Sequence, residues 1–471
     1  MAVFASFAQI VILPLLQGPS YIRRFAPLIF LTLLGIGLAA FLIPREIHEL
    51  QDHLTGFPDA NRKAHELRAV VLGILCFLPA LGALYYCLSK ATDRYLIRQF
   101  MGAFCLCFTS LFAIWFISDL SNHYEDFNES EDSYRLMASY YLAAFPRFFV
   151  DYAPYGLLLA MLLSLGKLSK GQEIIAIIQT GRGIASLIMP LILMGGLVGL
   201  VCLGFNYRWA PVAGAYQNAL LQKAENGALS KARNVVYYSE SNQRLWLVGS
   251  FPFQYHRGEP LENVIIRSFS PDGQPISRLN AKTAQWDRET NDWIFSGVGR
   301  WDMTPKIQGH RSPKYERDLP DPLIVKGWTE TPWQLIKPGL KAEELGIPGL
   351  HTWLSHNRDS EWTNKRRFLT QWHYRWAQPG ICFAIVLLAA PLGIVFTRRG
   401  AAGGVAVAIF LCIGMLFTST IFLALGESGY LPPVWAAWGT NILSFILAMY
   451  LIQCRLVGRP IYQSLRKLLP S

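Results

Sequence analysis

The fold of this chain is decided between Phe145 and Pro211, where the sequence reads FPRFFVDYAPYGLLLAMLLSLGKLSKGQEIIAIIQTGRGIASLIMPLILMGGLVGLVCLGFNYRWAP. Two apolar runs, one ending at Leu168 and one beginning at Ile184, flank a short polar and basic connector. Each run reaches about 20 residues, the length that a helix needs to cross roughly 30 Å of hydrocarbon. The stretch therefore predicts a transmembrane hairpin with a small element at its mouth.

The connector, residues 169–182, is predicted to form a short amphipathic helix. Ser169 suits its N-cap, and Glu173 lies in the first turn, where a carboxylate suits the helix dipole. Isoleucines at helical spacing give it one apolar face, and Gly181 ends it, with Arg182 near its negative end. Basic residues around it favour the cytoplasmic side. The isoleucines are Ile174, Ile175, Ile177 and Ile178, and the basic residues are Lys167, Lys170 and Arg182.

Composition indicates a polytopic membrane protein. The chain has 471 residues, of which 52% are hydrophobic and only 16% are charged, whereas soluble domains carry roughly 25% charged residues. The net charge of +11 does not favour nucleic acid as a partner, because the basic residues lie at the ends of apolar runs. Anionic lipid is the partner class that this distribution favours. All eight cysteines lie in or beside apolar runs, so no disulfide framework is expected in the polar middle segment.

Residues 1–90 are predicted to form an N-terminal extension with a pair of transmembrane spans. The spans are Phe25–Ile43 and Ala69–Leu88, and the segment between them, Pro44–Arg68, is predicted to be a polar connector. Met1–Leu16 lacks a basic region and a convincing cleavage site, so no cleaved leader is expected.

Six further spans are expected in residues 91–207 and 367–471, which gives about eight spans in all. Asp93–Phe100, DRYLIRQF, precedes the first of the six and is similar to the opening motif of the family named below, which implies a short basic amphipathic helix. The excess of lysine and arginine in short loops, including the Arg398-Arg399 turn, places both termini and a basic C-terminal tail in the cytoplasm.

Residues 208–366 differ from the rest of the chain because they are polar, rich in tryptophan and patterned in short alternating runs. The runs predict β-strands, and Pro271-Asp272-Gly273 and Thr290-Asn291 predict hairpin turns. About 150 residues suffice for a domain with its own core, so we expect an inserted, periplasmic all-β sandwich or jelly roll. Its core is expected to contain Trp246, Trp286, Trp293 and Trp301.

Three ordered motifs carry a likeness to a known family. The first lies in the stretch quoted above, where PYGLLLAMLLSLGKLSKGQEIIAIIQTG ends at Gly181. The others are HYRWAQPGICFAIVLLAAPLGIVFTRRG, which begins at His373, and LGESGYLPPVWAAWGTNILSFILAMYLI, which begins at Leu425. In this order the motifs resemble the LptF/LptG permease family, the membrane half of the lipopolysaccharide exporter of double-membraned bacteria. The resemblance runs from about Asp93 to Leu451 and leaves out the N-terminal extension.

The resemblance implies a permease subunit of an ABC transporter in the bacterial inner membrane, which extracts lipopolysaccharide and passes it to a periplasmic β bridge. The implied partners are a cytoplasmic ABC ATPase dimer, a second LptF/LptG-type permease, periplasmic β-jelly-roll bridge proteins and lipopolysaccharide itself. On composition alone the connector could be a turn resting on the bilayer surface, whereas the resemblance makes it a coupling helix with Glu173 as the docking acid. The residues implied in coupling are Ser169, Glu173, Ile174, Ile177, Gly181 and Arg182. The F-type and G-type roles are not distinguished.

Arginines near the ends of spans are candidate contacts for lipid phosphates, because the guanidinium group binds phosphate in a bidentate manner. Two alternatives stay open: Arg147 and Asp151 lie four residues apart and can form a self-compensating pair, and basic side chains at span ends also snorkel to head groups. The span Phe100–Ile117 carries no basic residue, unlike the corresponding span of the family. The candidates are Arg147, Arg208, Arg366, Arg367 and Arg375.

Motifs of nucleotide binding and catalysis do not occur in the sequence. It contains no G-x-x-x-x-G-K-[ST], so ATP hydrolysis is expected in a partner subunit, and it contains neither H-E-x-x-H nor G-x-S-x-G. We expect no catalytic residue, no metal and no cofactor. Two other classes stay open: a membrane-anchored scaffold or assembly protein, and an ion-coupled secondary transporter, for which Asp151 is the single weak candidate.

Overall fold

Helices form most of the chain in its computed structural model, and one antiparallel β-sheet is inserted between them. The structure describes residues 20–56, 62–128, 133–226, 230–239, 241–253, 255, 258–287, 289–303, 314–316, 319–356, 365–394 and 402–456. Among these residues, eight helices are long and apolar enough to cross a membrane, which confirms the predicted polytopic fold with an inserted β domain. Three predicted features lie outside the described residues: the Met1–Leu16 segment, the Arg398-Arg399 turn and the basic C-terminal tail.

The N-terminal extension is a helical hairpin of α1 (Ser20–Gly56) and α2 (Arg62–Leu88). The two helices approach closely at Gly35, because a Cβ atom added there would lie 2.7 Å from the carbonyl oxygen of Cys76. The predicted polar connector over Pro44–Arg68 is wrong, since α1 continues through Pro44 and α2 already begins before Arg68. A proline removes only one helical hydrogen bond, and the Arg and Glu residues that follow it are good helix formers.

The first half of the membrane core contains long spans linked by short helices. The predicted separate helix Asp93–Phe100 is instead the beginning of a continuous span, because its apolar side chains are buried in the same core as the rest of that span. The inserted domain was expected to begin at residue 208, and residues 209–226 form a helix that packs mainly on the span Ser133–Lys170. The helices are α3 (Ala91–Asn122), α4 (Tyr124–Asn128), α5 (Ser133–Lys170), α6 (Glu173–Gln179), α7 (Ile184–Tyr207) and α8 (Trp209–Asn226).

The strands of the β domain pair antiparallel, and the first five pair in sequence order. They are β1 (Ser230–Ser239), β2 (Arg244–Pro252), β3 (Leu261–Phe269), β4 (Pro275–Trp286), β5 (Trp293–Ser296), β6 (Gly299–Asp302), β7 (Lys314–Glu316) and β8 (Leu323–Val325). The first four form a meander. The pairs Thr283↔Ser296 and Asn280↔Gly299 share one register, so β5 and β6 are two parts of one interrupted strand. β8 pairs with β5 and β7 pairs with β6, which makes β7 and β8 the last edge of the described sheet.

Both predicted hairpin turns of the β domain are confirmed. Gly273, between β3 and β4, has a φ of +75°, and Asn291, between β4 and β5, has a φ of +58°. These are residue types that adopt the left-handed region readily. The predicted tryptophan core is confirmed for Trp246 and Trp293, which are fully buried with ring centroids 5.1 Å apart. The other two predicted core residues, Trp286 and Trp301, are half-buried.

The chain leads from the β domain to the second half of the membrane core through α9 (Pro332–Ile336) and α10 (Ile347–His356). The second half of the membrane core consists of α11 (Lys365–Gly393), α12 (Ala402–Glu427) and α13 (Pro433–Leu456). In α11, 78% of the most apolar stretch is buried inside the protein, whereas in α1 only 6% is buried. The membrane core is therefore organised around α11, and α1 lies at its periphery.

Candidate functional site

The loop between α5 and α7 carries α6, which is shorter than the helix predicted over residues 169–182. It begins at Glu173, directly after Gln172, whose φ of +57° turns the chain out of α5. The predicted N-cap at Ser169 is wrong: Ser169 still belongs to α5, and its hydroxyl donates to the carbonyl oxygen of Gly393 at 3.3 Å. Gly181 follows the end of α6 with a φ of +87°, a left-handed conformation that glycine adopts without strain.

One face of α6 is packed into the membrane core. Ile174 is 1% exposed, and Ile177 and Ile178 pack against the same apolar cluster. Ile174 therefore holds α6 in place, and its side chain is not accessible to another protein. The opposite face is small and polar. Its exposed residues are Gln172, Ala176, Gln179, Thr180 and Gly181.

The carboxylate of Glu173 is held at the start of α6 by a residue from another span. Tyr95, in the first two turns of α3, donates its hydroxyl hydrogen to Oε2 of Glu173 at 2.8 Å. An ionised carboxylate accepts several hydrogen bonds, and Glu173 is only half-buried. Tyr95 therefore orients Glu173 and leaves the carboxylate able to bind a second donor.

A second polar contact joins the same two segments just beyond the other end of α6. Nη2 of Arg182 lies 2.5 Å from Oδ1 of Asp93, and the two side chains are 22% and 14% exposed. Because most water is excluded from this pair, its charges attract each other more strongly than those of an exposed pair. Asp93 lies in the first turn of α3, so the beginning of α3 is bound to both ends of the α6 segment.

Neither Tyr95 nor Asp93 is among the site residues predicted from the sequence, although both belong to the motif DRYLIRQF. Their partners lie 78 and 89 positions away along the chain. In the sequence, the signal for these two residues is that an Asp and a Tyr lie at the basic start of an apolar span. Sequence spacing does not show which loop these two side chains reach.

The arginines predicted to contact lipid differ in their exposure. Arg147 is 56% exposed, and its Nε lies 3.7 Å from Asp151, so the self-compensating pair is present in a loose form. Arg366 is exposed and donates to the carbonyl oxygen of Gly429 at 2.9 Å. Arg367 is 46% exposed and forms ion pairs with Glu343 and Glu427.

The other two arginines are more enclosed. Arg375 is 9% exposed and donates to the side chain of Asn206 and to the carbonyl oxygen of Glu343. Its guanidinium group therefore ties α11 to α7 and is turned inward. Arg208 is 23% exposed and bridges to α1, with its Nη2 3.2 Å from Glu49 and its Nε 3.5 Å from Glu46.

The sequence of this chain matches the model of a known protein family. Residues 94–453 match the family model described as "Lipopolysaccharide export system permease LptF/LptG". The match covers both halves of the membrane core and the β domain, and it begins after the N-terminal hairpin. No curated protein matches the chain.

Proposed function

The chain belongs to the LptF/LptG family of lipopolysaccharide export permeases, and we propose that a separate ATPase drives it by docking on α6. The family is one of transport permeases, and the chain is a multi-pass inner-membrane protein. In the proposed assembly a second permease of this family pairs with it, and a cytoplasmic ABC ATPase dimer binds both. The paired spans enclose the cavity from which lipopolysaccharide is extracted.

The proposal rests mainly on the way in which α6 packs against the rest of the protein. Its isoleucine face is buried, its opposite face exposes small and polar residues, and Glu173 stands at its first turn. A helix fixed on one side and accessible on the other can be pushed by a partner without being pulled out of its own protein. The carboxylate of Glu173 accepts one hydrogen bond from Tyr95 and can accept further hydrogen bonds from that partner.

The contacts of α6 and its flanking residues would transmit a displacement of α6 by the ATPase to the membrane spans. This segment is continuous with α5 and α7, Glu173 and Arg182 bind the start of α3, and Ser169 binds the end of α11. Four spans therefore begin or end at this segment. Closely packed helices move as units, so a displacement of α6 changes the arrangement of these spans around the cavity.

The proposed orientation follows from the charges around α6. Lys167, Lys170 and Arg182 favour the cytoplasm for this end of the spans, which places the β domain in the periplasm. The eight spans among the described residues are an even number, so we propose that both ends of the described chain lie on the cytoplasmic side.

The edge formed by β7 and β8 suits contact with a periplasmic β protein. Tyr315 and Ile324 on these strands are 46% and 54% exposed, and both strands end the described sheet. A terminal strand presents backbone groups that an incoming strand can pair with. We propose that the periplasmic bridge continues from this domain by strand addition.

Among the predicted lipid contacts, Arg147, Arg366 and Arg367 are the side chains exposed enough to meet a phosphate of lipopolysaccharide. Arg375 is assigned instead to helix positioning because its donors face Asn206 and Glu343.

Charge reversal at Glu173 tests the proposed function. The chain is co-expressed with the ATPase and the sister permease of its own organism, and Glu173→Arg is compared with Glu125→Arg, an exposed acid on α4. We expect Glu173→Arg to abolish co-purification of the ATPase and lipopolysaccharide-stimulated ATP hydrolysis, whereas Glu125→Arg leaves both intact. Normal assembly and export by Glu173→Arg would remove the proposal.

A further inference from the structure

A cavity of about 130 Å³ lies where the N-terminal hairpin, the end of α7 and the β domain meet. Three cationic side chains line it: Arg68 from α2, Arg208 from the end of α7, and Lys231 from β1. Glu344 is the one acidic side chain in its described lining. The charged groups that face the cavity are therefore net positive, which favours an anion over a neutral ligand.

Arg68 is the most enclosed of these cations. It is 4% exposed, and its Nη2 contacts Nδ1 of His65. Its Nε and Nη1 have no hydrogen-bond acceptor among the described residues. Buried polar groups are nearly always satisfied by protein, water or a bound ion, so donors without an acceptor beside a cavity indicate that something else supplies one.

Lys231 makes two long-range contacts, one with Glu344 and one with the ring of Phe253, whose centroid lies 5.1 Å from Nζ. Its side chain is 10% exposed, and its Nζ lies 3.9 Å from Oε2 of Glu344, beyond hydrogen-bonding distance. Burial lowers the pKa of Lys231, and the nearby carboxylate of Glu344 only partly opposes this effect. An anion in the cavity would stabilise the charged ammonium group.

The acids around the cavity lie beside its cations, and Oε1 of Glu46 has no hydrogen-bond donor among the described residues. Glu46 and Glu49 lie beside Arg208 at 3.5 and 3.2 Å, and Glu344 is shared between Lys231 and Lys341, the latter at 3.4 Å. Arg208 is therefore balanced by α1. The donors of Arg68 and Lys231 are the ones left for a ligand.

We propose that this cavity binds one phosphate group, held by Arg68 and Lys231, with Arg208 contributing positive charge to the cavity wall. Its volume equals several water molecules of about 30 Å³, which suits a phosphate group and is too small for the acyl chains of a lipid. Arg68 lies near the start of α2 and Arg208 directly follows α7, and basic side chains at the ends of spans are placed to reach phospholipid head groups. Arg68 precedes the family-matched segment, so the N-terminal hairpin completes the site. This inference does not depend on ATPase docking.

Binding by the purified full-length chain tests the proposal. Native mass spectrometry measures retention of phosphatidylglycerol after extraction from phosphatidylglycerol–phosphatidylcholine nanodiscs, and calorimetry measures binding of inorganic phosphate. The variants are Lys231→Met and Arg68→Gln, and the control is Lys341→Met, a lysine that is 67% exposed and pairs with the same Glu344. We expect Lys231→Met to weaken binding about tenfold, because hydrogen bonds between charged groups are the stronger class. Lys341→Met should bind as the unmodified chain does.

The two probes separate the possible sources of the phosphate. Retention of phosphatidylglycerol without binding of inorganic phosphate assigns the site to a lipid head group, and the reverse result assigns it to the free anion. Arg68→Gln can fail to fold because Arg68 is buried, but Lys231→Met keeps the side-chain length and leaves the test decisive. Absence of both ligands from the unmodified chain, or equal binding by Lys231→Met, overturns the proposal.

Discussion

The hydroxyl of Tyr95 lies 2.8 Å from Oε2 of Glu173, and this hydrogen bond joins the first span of the family-matched core to the loop helix α6. Asp93, two positions before Tyr95, binds Arg182 beyond the far end of that helix. The start of α3 is therefore held at two points, so a rotation as well as a translation of α6 reaches it. This gives α3, which is separated from α6 by a whole span in the chain, a direct part in the proposed motion.

Replacement of Tyr95 by Phe removes this hydrogen bond and little else. We expect the free energy of unfolding to fall by about 1 kcal/mol, because water partly replaces the hydroxyl at the half-buried Glu173. ATP hydrolysis by the assembled transporter should respond less to lipopolysaccharide, since Glu173 is no longer oriented. Chemical unfolding in detergent and an ATPase assay measure the two effects. Tyr134→Phe is the control, because Tyr134 is 84% exposed. If both variants had the same stability and the same ATPase response, the hydrogen bond between Tyr95 and Glu173 would contribute to neither property.

The Arg182–Asp93 pair should show measurable coupling in a double-mutant cycle. With Asp93→Asn, Arg182→Gln and the double variant, we expect an interaction energy of about 1–3 kcal/mol, because both side chains are mostly buried. The exposed pair Arg62–Glu66, at 79% and 51% exposure, serves as the matched control and should give about 0.3–0.5 kcal/mol.

The exchanged pair Asp93→Arg with Arg182→Asp extends this test. It should restore part of the ATPase activity that either single reversal removes, since the attraction is re-formed in the opposite sense. Coupling at Arg182–Asp93 no larger than that of the exposed pair would mean that the contact does not bind α6 to α3.

The spans and the β domain were predictable because their signals are local. Apolar runs of sufficient length mark the spans, and Gly273 and Asn291 mark turns that few other residues form. The helix over residues 209–226 was missed because its apolar residues face α5, a contact that periodicity within a polar segment does not reveal.

The candidate site was predictable only in part. Glu173 and Gly181 could be identified because helix ends have local chemistry. Ser169 was misassigned as an N-cap because a serine within a helix looks the same in sequence as one that begins a helix, and its actual acceptor, Gly393, is 224 positions away. Tyr95 and Asp93 were missed for the same reason, since their roles depend on which helix end lies beside them.

The turn between β4 and β5 should make the stability of the protein depend on pH. The backbone N–H of Glu289 and the hydroxyl of Thr290 donate to the carboxylate of Asp287 and lower its pKa. A lowered pKa in the folded state means that the unfolded state binds more protons, so this contribution is present above the ordinary pKa of about 3.9 and is lost as the pH falls through the folded value. Asp287→Asn keeps an oxygen acceptor but does not titrate.

We therefore expect the unfolding temperature of the unmodified chain to exceed that of Asp287→Asn near neutral pH, and the difference to shrink as the pH falls below about 4. Unfolding of both full-length proteins is followed by intrinsic fluorescence across this range. A difference that stays constant with pH would show that the charge on Asp287 is not what stabilises the turn.

The packing of α7 against α11 should be sensitive to a single methyl group. A Cβ atom added at Gly195 would lie 2.5 Å from Cγ2 of Val386, so Gly195→Ala must displace the side chain of Val386 or one of these helices. We expect a loss of about 1–3 kcal/mol in the free energy of unfolding, partly restored by the additional change Val386→Ala. Gly102→Ala, where no described atom lies within 4 Å, should be neutral or slightly stabilising.

Because α7 continues directly from the α6 loop, Gly195→Ala should also reduce ATPase stimulation by lipopolysaccharide more than its loss of stability accounts for. Equal tolerance of both alanines would show that the two helices are not in tight contact.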